Sequence, residues 1–397
     1  MLRVLNGRTV LRTLLECDAL TSRQLGSVIG LSKTTMSQIL AQLQEYGLIV
    51  ADGVRSENVG RAARLYRINP EIAFVAGLDI TPNCISVAIA DISGNVISRL
   101  ACEVHAHSKE NVVVHFRDAI SAGCRSAGIG IGRLARIVVG IQGAIDPKTG
   151  RLGYAKHLPG WHVPHLVDSL TGMLGVPTEV ENDVNLLALA ELEHGSAIGC
   201  DNFALFWAAE GIGVALVLGG QLHRGSTGGA GELGYMPVEG AVKMHEVGAD
   251  EDYGMQVVAG GPSVLKALRA RGFNGDTPGA AVRAAVATLV DSPAGGRGPA
   301  DAVEALNEIS GRMLTGLAPL VSIIDPELIV LAGDTLLAGG ERLLGMIERD
   351  LYRAVIPRPR LLLSSLGNDA IVSGALSRAL DLAREEVFSL TDWLKNI

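Results

Sequence analysis

The chain has 397 residues, is 48% hydrophobic and 19% charged, and carries a formal net charge of −8. That is enough length for two or three domains and enough apolar content for a sizeable core. The acidic total argues against nucleic-acid binding by the chain as a whole, and no uninterrupted apolar run reaches the length of a membrane span. The charge is uneven, however: residues 1–70 hold nine Lys/Arg and five Asp/Glu, net +4, which leaves residues 71–397 net −12. The asymmetry fits a small basic reader joined to an acidic body that would not itself hold DNA. The five cysteines, Cys17, Cys84, Cys102, Cys124 and Cys200, show no C-x-x-C spacing. Neither a zinc site nor a disulfide framework is expected, and no secretory signal precedes the first helix. A cytoplasmic protein with reduced thiols is the expectation.

Taken in chain order, the first signal is Thr21-Ser22-Arg23-Gln24, a hydroxyl N-cap with Gln three residues on. Leu25, Val28 and Ile29 then supply one apolar face, and Gly30 breaks the helix and permits a tight turn. Ser32 caps a second helix running to Leu43, with Met36, Ile39, Leu40 and Leu43 on one stripe. Its other face carries Lys33, Thr34, Thr35, Ser37, Gln38 and Gln42, none of them acidic. Such a face can enter a major groove and meet phosphates and base edges. Gly47-Leu48-Ile49-Val50 leads into a strand, and residues 55–67 read as a β-wing with Gly60-Arg61 at its tip and Arg64 and Arg67 nearby. Arginines on a wing suit phosphate or minor-groove contact. Residues 1–70 are therefore expected to form a winged helix-turn-helix, with Lys33, Thr34, Thr35, Ser37, Gln38, Arg61 and Arg64 as its DNA contacts.

Beyond the linker, residues 75–80 and 85–91 read as strands, and Gly94-Asn95 turns into a third. Another apolar unit follows at 137–141. Downstream, 203–207 and 214–218 repeat the strand–turn–strand idea, with Gly219-Gly220-Gln221 closing a hairpin. Residues 328–333 form a late buried strand ending in glycine, residues 292–299 read as a Gly/Pro-rich loop, and residues 370–395 read as helix. Two β-units with following helices predict a duplicated α/β architecture with a cleft between lobes.

Several stretches carry a family resemblance. They are Glu210-Gly211-Ile212-Gly213 through Gly219-Gly220, then Gly225 and Gly228 to Gly234, with Leu158-Pro159-Gly160-Trp161 and Glu181-Asn182-Asp183-Val184-Asn185. On these motifs residues 71–397 resemble the ROK family of bacterial repressors and sugar kinases. With the N-terminal reader included, the likeness extends over essentially the whole chain and points to the xylose- and N-acetylglucosamine-type repressors of that family. The resemblance implies a two-lobed, actin-like, hexokinase-type ATPase fold over residues 71–397. It implies a sugar-like ligand held by Asn182, Asp183, Glu232, Tyr235, His157 and Gly143. In the family's kinases an Asp in the position of Asp183 takes the proton from the attacking sugar hydroxyl, which makes Asp183 a vestigial catalytic candidate. Read from the residues alone, Asp183 is also a good N-cap for the helix that continues through Ala190.

The chain departs from the family pattern in three places. The first phosphate loop, Asp-x-Gly-Gly-Thr in the family, is here Asp79-Ile80-Thr81-Pro82-Asn83. Both glycines are lost, and Pro82 removes an amide donor, so kinase activity is not expected. The family's His and three-cysteine zinc run is absent: Tyr235 replaces the His, and residues 236–255 hold no cysteine, with His245 the one nitrogen ligand left there. Acids such as Glu246, Asp250, Glu251 and Asp252 are expected on a solvated face, and no metal or cofactor is expected. The Glu that follows the family's last cysteine is replaced near Val257, and His157 stands where the kinases often have Asn. Fewer hydroxyl partners should alter which ligand binds.

The expected function is thus a DNA-binding regulator, a repressor of carbohydrate genes, controlled by a sugar-like ligand in the kinase-like cleft. Two readers are needed for two half-sites, so a homodimer or homotetramer on a double-stranded operator is expected. The alternatives are an ATP-dependent sugar kinase and a regulator governed by a protein partner.

Overall fold

The computed structural model describes residues 2–56, 62–104, 112–145, 152–153, 158, 160–242, 253–291, 297–367 and 369–389. Its N-terminal region runs α1 (Leu2–Cys17), β1 (Leu20–Thr21), α2 (Ser22–Ile29), α3 (Lys33–Glu45), β2 (Ile49–Ser56) and β3 (Ala62–Ile68). The local chemistry expected from sequence is present. Thr21 Oγ1 accepts from the Gln24 amide while the Gln24 side chain accepts from the Thr21 amide, a complete capping box. Gly30 ends α2 in the left-handed region at φ 76°. Ser32 Oγ accepts from the Thr35 amide at 3.2 Å. Met36, Ile39, Leu40 and Leu43 are all buried, as the stripe predicts. Val28 is the exception, at 66% exposure. Helix α2 ends at the next residue, Ile29, so its last turn lies at the margin of the small core that Leu25 anchors.

The three strands pair in the order β1-β3-β2, with Ile49 opposite Ile68 and Ser56 opposite Ala62. A bulge lies between Ala51 and Val54. Residues 57–61, and with them the expected wing residue Arg61, lie outside the described residues. Replacing Ser32 by Ala should cost about 1 kcal/mol, because the first amides of α3 lose an acceptor. Faster amide exchange at Thr35 with an unchanged far-UV spectrum would register it.

The next elements are β4 (Phe74–Ile80), β5 (Cys84–Asp91), β6 (Val96–Glu103), α4 (Val112–Ser126), β7 (Leu134–Ile141), β8 (Ala144–Ile145), β9 (Leu152–Gly153), α5 (Leu166–Leu174), β10 (Thr178–Asn182) and α6 (Asp183–His194). A five-stranded sheet has the order β10-β7-β4-β5-β6, and β8 pairs with β9. The β4, β5 and β7 patterns are near-continuous apolar runs because both faces are covered.

The last part holds β11 (Phe203–Ala208), β12 (Ile212–Leu218), β13 (Gln221–Leu222), α7 (Met255–Ala259), α8 (Gly261–Ala270), α9 (Pro278–Asp291), α10 (Arg297–Ile324), β14 (Leu328–Ala332), α11 (Asp334–Ala354), β15 (Arg360–Leu363) and α12 (Ala370–Ser389). Its sheet runs β13-β12-β11-β14-β15; β11 is antiparallel to β12 and parallel to β14. Period-two alternation divides the side chains. Phe203, Leu205, Ala215 and Val217 face a core with Val184 and Leu187 of α6. Ala204, Phe206, Val214 and Leu216 face the opposite core, with Met255 of α7 and residues of α8 to α11. Arg297, Gly298 and Pro299, expected in a loop, instead form the first turn of α10, where a proline's missing amide has no intrahelical partner to lose.

By internal contacts the chain divides into two compact units. One comprises Met1–Gly140, Val167–Val180 and Ala375–Ile397; the other comprises Ile141–Leu166 and Glu181–Gly374. In the first, Arg8 Nε of α1 donates to the Phe388 carbonyl of α12 at 3.2 Å. Among the described residues no helix is long and apolar enough to cross a membrane.

Candidate functional site

The second unit contains a cavity of about 120 Å³. That is room for several waters or a small polar ligand, since one water needs only about 10–15 Å³ on this measure. One wall is the junction of β10 and α6. Asn182, in extended conformation, is the N-cap: its Oδ1 accepts from the Asn185 amide at 3.1 Å and its Nδ2 donates to the Gly143 carbonyl at 3.1 Å. The cap therefore falls one residue before Asp183, which is the first helical residue. Asn and Asp cap about equally well, so residue type alone did not separate them. Asp183 is only 9% exposed, and its Oδ1 accepts from the Val184 amide at 2.8 Å.

Glu181 fixes this junction from behind. Its Oε1 accepts from the Asn182 amide at 2.9 Å and from Asn185 Nδ2 at 2.8 Å, and its Oε2 accepts from Arg224 Nε at 2.5 Å. The carboxylate thus organises the turn that presents Asp183.

The facing wall is the glycine-rich segment 228–234. Gly231 has φ +90°, and its carbonyl accepts from the Val214 amide at 3.0 Å. A Cβ there would lie 1.9 Å from the Val214 carbonyl oxygen. The segment can hug the edge of β12 only without a side chain at that point, and this close approach sets Glu232 and Tyr235 into the cavity wall. The Tyr235 ring lies 5.2 Å from that of Tyr253. Burial pushes the Asp183 carboxyl up to about 6, against the lowering effect of the Val184 amide and its own. Burial, and then the charge of Asp183, push Glu232 up to about 7.

Five of the six residues expected around a ligand, Asn182, Asp183, Glu232, Tyr235 and Gly143, line this one cavity. His157 lies outside the described residues, as do His245, Glu246, Asp250, Glu251 and Asp252. Gln256 also lines the cavity, whereas Val257, where the sequence placed the replaced acid, does not. Gln256 Oε1 accepts from the Ile212 amide and its Nε2 donates to the Glu210 carbonyl, each at 3.0 Å. The turn between β11 and β12 is thereby tied to α7, and the Ile212 amide is already engaged. Trp207 and Gln142, which the sequence did not single out, also line the cavity, as does Glu210 of the glycine motif. No group of three His, Cys, Asp or Glu among the described residues is placed to hold a metal ion.

The segment aligned by resemblance with the family's first phosphate loop, residues 79–83, belongs to the first unit, between β4 and β5. Its Thr81 amide and hydroxyl both donate to the Cys84 carbonyl, at 2.9 and 3.0 Å, and the Cys84 amide donates to Thr81 Oγ1 at 3.1 Å. With Pro82 lacking an amide, the turn closes on itself.

Of the residues expected to face DNA, Lys33, Thr34, Ser37 and Gln38 are exposed on α3, and Arg64 is exposed on β3. Thr35 is half-buried, and its hydroxyl lies 2.9 Å from Ser32 Oγ within the cap. Arg67 is paired with Asp52 at 3.0 Å.

Residues 75–382 match the sequence profile of the ROK family. The chain belongs to the ROK family. This ROK protein is 23% identical over 397 residues to the xylose repressor of Caldicellulosiruptor bescii, covering 96% of each chain. It is 26% identical to the glucokinase of Streptomyces coelicolor over 78% of its own length and 97% of the enzyme's. Among solved structures, a ROK family transcriptional regulator described as a homologue of the E. coli MLC protein superposes with a TM-score of 0.74 at 18% identity, covering 98% of both chains. The body therefore has the actin-like, sugar-kinase-like α/β fold expected from sequence.

Proposed function

We propose that this ROK protein is a DNA-binding repressor whose kinase-like body senses a sugar-like ligand. The observation that carries the reading is the exposed face of α3: Lys33, Thr34, Ser37 and Gln38, with no acid among them, beside the β2–β3 hairpin bearing Arg64. In this reading residues 1–70 form a winged helix-turn-helix and residues 71–397 the sensing body. Helix α3 enters the major groove and the hairpin flanks it as a wing. Thr35 serves the cap, so base and phosphate contact falls on its exposed neighbours. The full-length likeness to a protein named a xylose repressor supports the assignment. Two readers address two half-sites, which requires at least a homodimer. Ligand binding changes occupancy of the operator only to the extent that the DNA-competent and incompetent states bind the ligand differently.

The likeness to a glucokinase makes phosphoryl transfer the second reading. Two arrangements weigh against it: the Thr81 turn uses its own amides, and Gln256 engages the Ile212 amide. Amides already bonded within the protein do not cradle a phosphate.

The deciding experiment is binding of the purified protein to its own upstream DNA across salt concentrations, with and without a sugar panel. Specific, salt-dependent binding released by one sugar is the expected result; absence of specific binding removes the reading. Arg64→Ala should weaken binding across sequences and flatten the log–log salt slope by about one unit. An unchanged slope would take Arg64 out of the interface.

A further inference from the structure

Helix α3 divides its surface into two stripes. Met36, Ile39, Leu40 and Leu43 are buried, and the stripe opposite them is Thr34, Gln38, Ala41 and Glu45, all exposed. Along that stripe the charge is confined to the C-terminal end. Glu45 lies roughly 10 Å along the axis from Gln38. Its carboxylate is repelled by phosphates, so the N-terminal half of the helix is the part suited to sit deepest in a groove. Lys33 is the one cation in Lys33–Glu45. It stands at the first helical residue, about 100° round from Thr34, where it suits a phosphate better than a base edge. Gln38 is thus the one side chain of this N-terminal half that is long enough to reach a base with two hydrogen bonds. Among the described residues none hydrogen-bonds its amide, in contrast to Gln24, whose Oε1 accepts from the Thr21 amide and hydroxyl at 2.9 Å each.

We propose that Gln38 sets the base preference of the reader by pairing with one adenine of each half-site. Its Nε2 donates to adenine N7 and its Oε1 accepts from adenine N6. The inference rests on the DNA-reading assignment above and names the base that α3 reads. A side-chain amide presents one donor and one acceptor side by side, which matches the major-groove edge of adenine. Guanine presents two acceptors on that edge, so Oε1 would oppose O6. Guanine is read best by Arg or Lys, and the stripe carries neither. Ala41, three residues on and on the same stripe, offers its methyl to the 5-methyl of a neighbouring thymine. The Ser32 cap and the left-handed Gly30 fix where the helix begins, so Gln38 is presented on a rigid element.

The test is selection of binding sites from a randomised duplex library by the full chain, as wild type, Gln38→Ala and Gln38→Arg, followed by affinity measurements on the selected duplexes. The wild type should enrich a half-site with one position fixed as adenine. Gln38→Ala should bind that duplex about tenfold more weakly and lose base preference at that position alone. Gln38→Arg should move the preference there to guanine. Replacing the fixed adenine by 7-deazaadenine removes N7 and leaves the minor groove unchanged. It should weaken wild-type binding about fivefold and leave Gln38→Ala unaffected. This arm reads the contact on the wild-type protein, so it stands even if a variant does not fold. A preference for A·T that arose from the minor groove or from duplex flexibility would ignore both the 7-deaza substitution and the Gln38 variants, and would overturn the proposal. So would a half-site with no fixed adenine. An enriched motif that Gln38 does not influence defeats this proposal alone, whereas failure of the wild type to enrich any motif defeats the DNA-reading assignment and the proposal with it.

Discussion

Gly231→Ala should collapse the cavity of the second unit and cost that unit at least about 3 kcal/mol of stability. Two effects combine. An alanine at φ +90° carries conformational strain of roughly 1–2 kcal/mol. Its Cβ would also stand 1.9 Å from the Val214 carbonyl oxygen, a backbone atom inside a paired strand that cannot rotate aside. Relief requires the 228–234 segment to lift off β12, which breaks the Val214-to-Gly231 hydrogen bond and carries Glu232 and Tyr235 away from Asp183. Gly219→Ala is the matched control. That glycine is also left-handed, at φ +60°, but an added Cβ meets nothing within 4 Å. It should lower stability by about 1 kcal/mol and leave ligand binding intact. A Gly231→Ala protein that melts and binds like the control would show that the segment is not held by its close approach.

What the sequence could and could not disclose follows from the range of the interactions involved. The caps at Thr21 and Ser32 and the buried stripe of α3 were legible because they are settled within four residues. The strands at 203–208 and 328–332 were legible because each alternates or runs apolar as its sheet position demands. Of the cavity wall, Asn182, Asp183, Glu232, Tyr235 and Gly143 were singled out through the family's motifs, not through periodicity. Gln256 was missed, and its role depends on partners 44 and 46 residues away in sequence. Its pattern in the chain, one polar residue in Met255–Ala259, resembles any short helix. Trp207 was hidden for a related reason: it sits inside a strand that reads as core. Glu181 and Arg224 form their ion pair across 43 residues, and only the fold reveals that this pair holds the β10–α6 turn.

The Asp183–Glu232 pair should make the protein more stable as pH falls from 8 toward 5, opposite to the usual effect of a salt-bridged carboxylate. In the folded chain burial lifts Asp183 to about 6, and burial with the Asp183 charge lifts Glu232 to about 7. In the unfolded chain both return to the ordinary carboxylate range near 4. Between pH 8 and pH 5 the folded protein therefore takes up protons that the unfolded chain does not, so unfolding becomes less favourable as pH falls. The gain begins as pH drops through about 7 and is complete only below the unfolded values. Its size is on the order of 2 to 3 kcal/mol for the pair, allowing for the solvent that reaches half-buried Glu232. Urea unfolding followed at pH 8, 7, 6 and 5 should show a rising midpoint, and Asp183→Asn with Glu232→Gln should flatten that rise. A wild-type midpoint that falls steadily over this range, with the double variant falling in parallel, would mean that the two carboxyls are ordinarily acidic in the folded state.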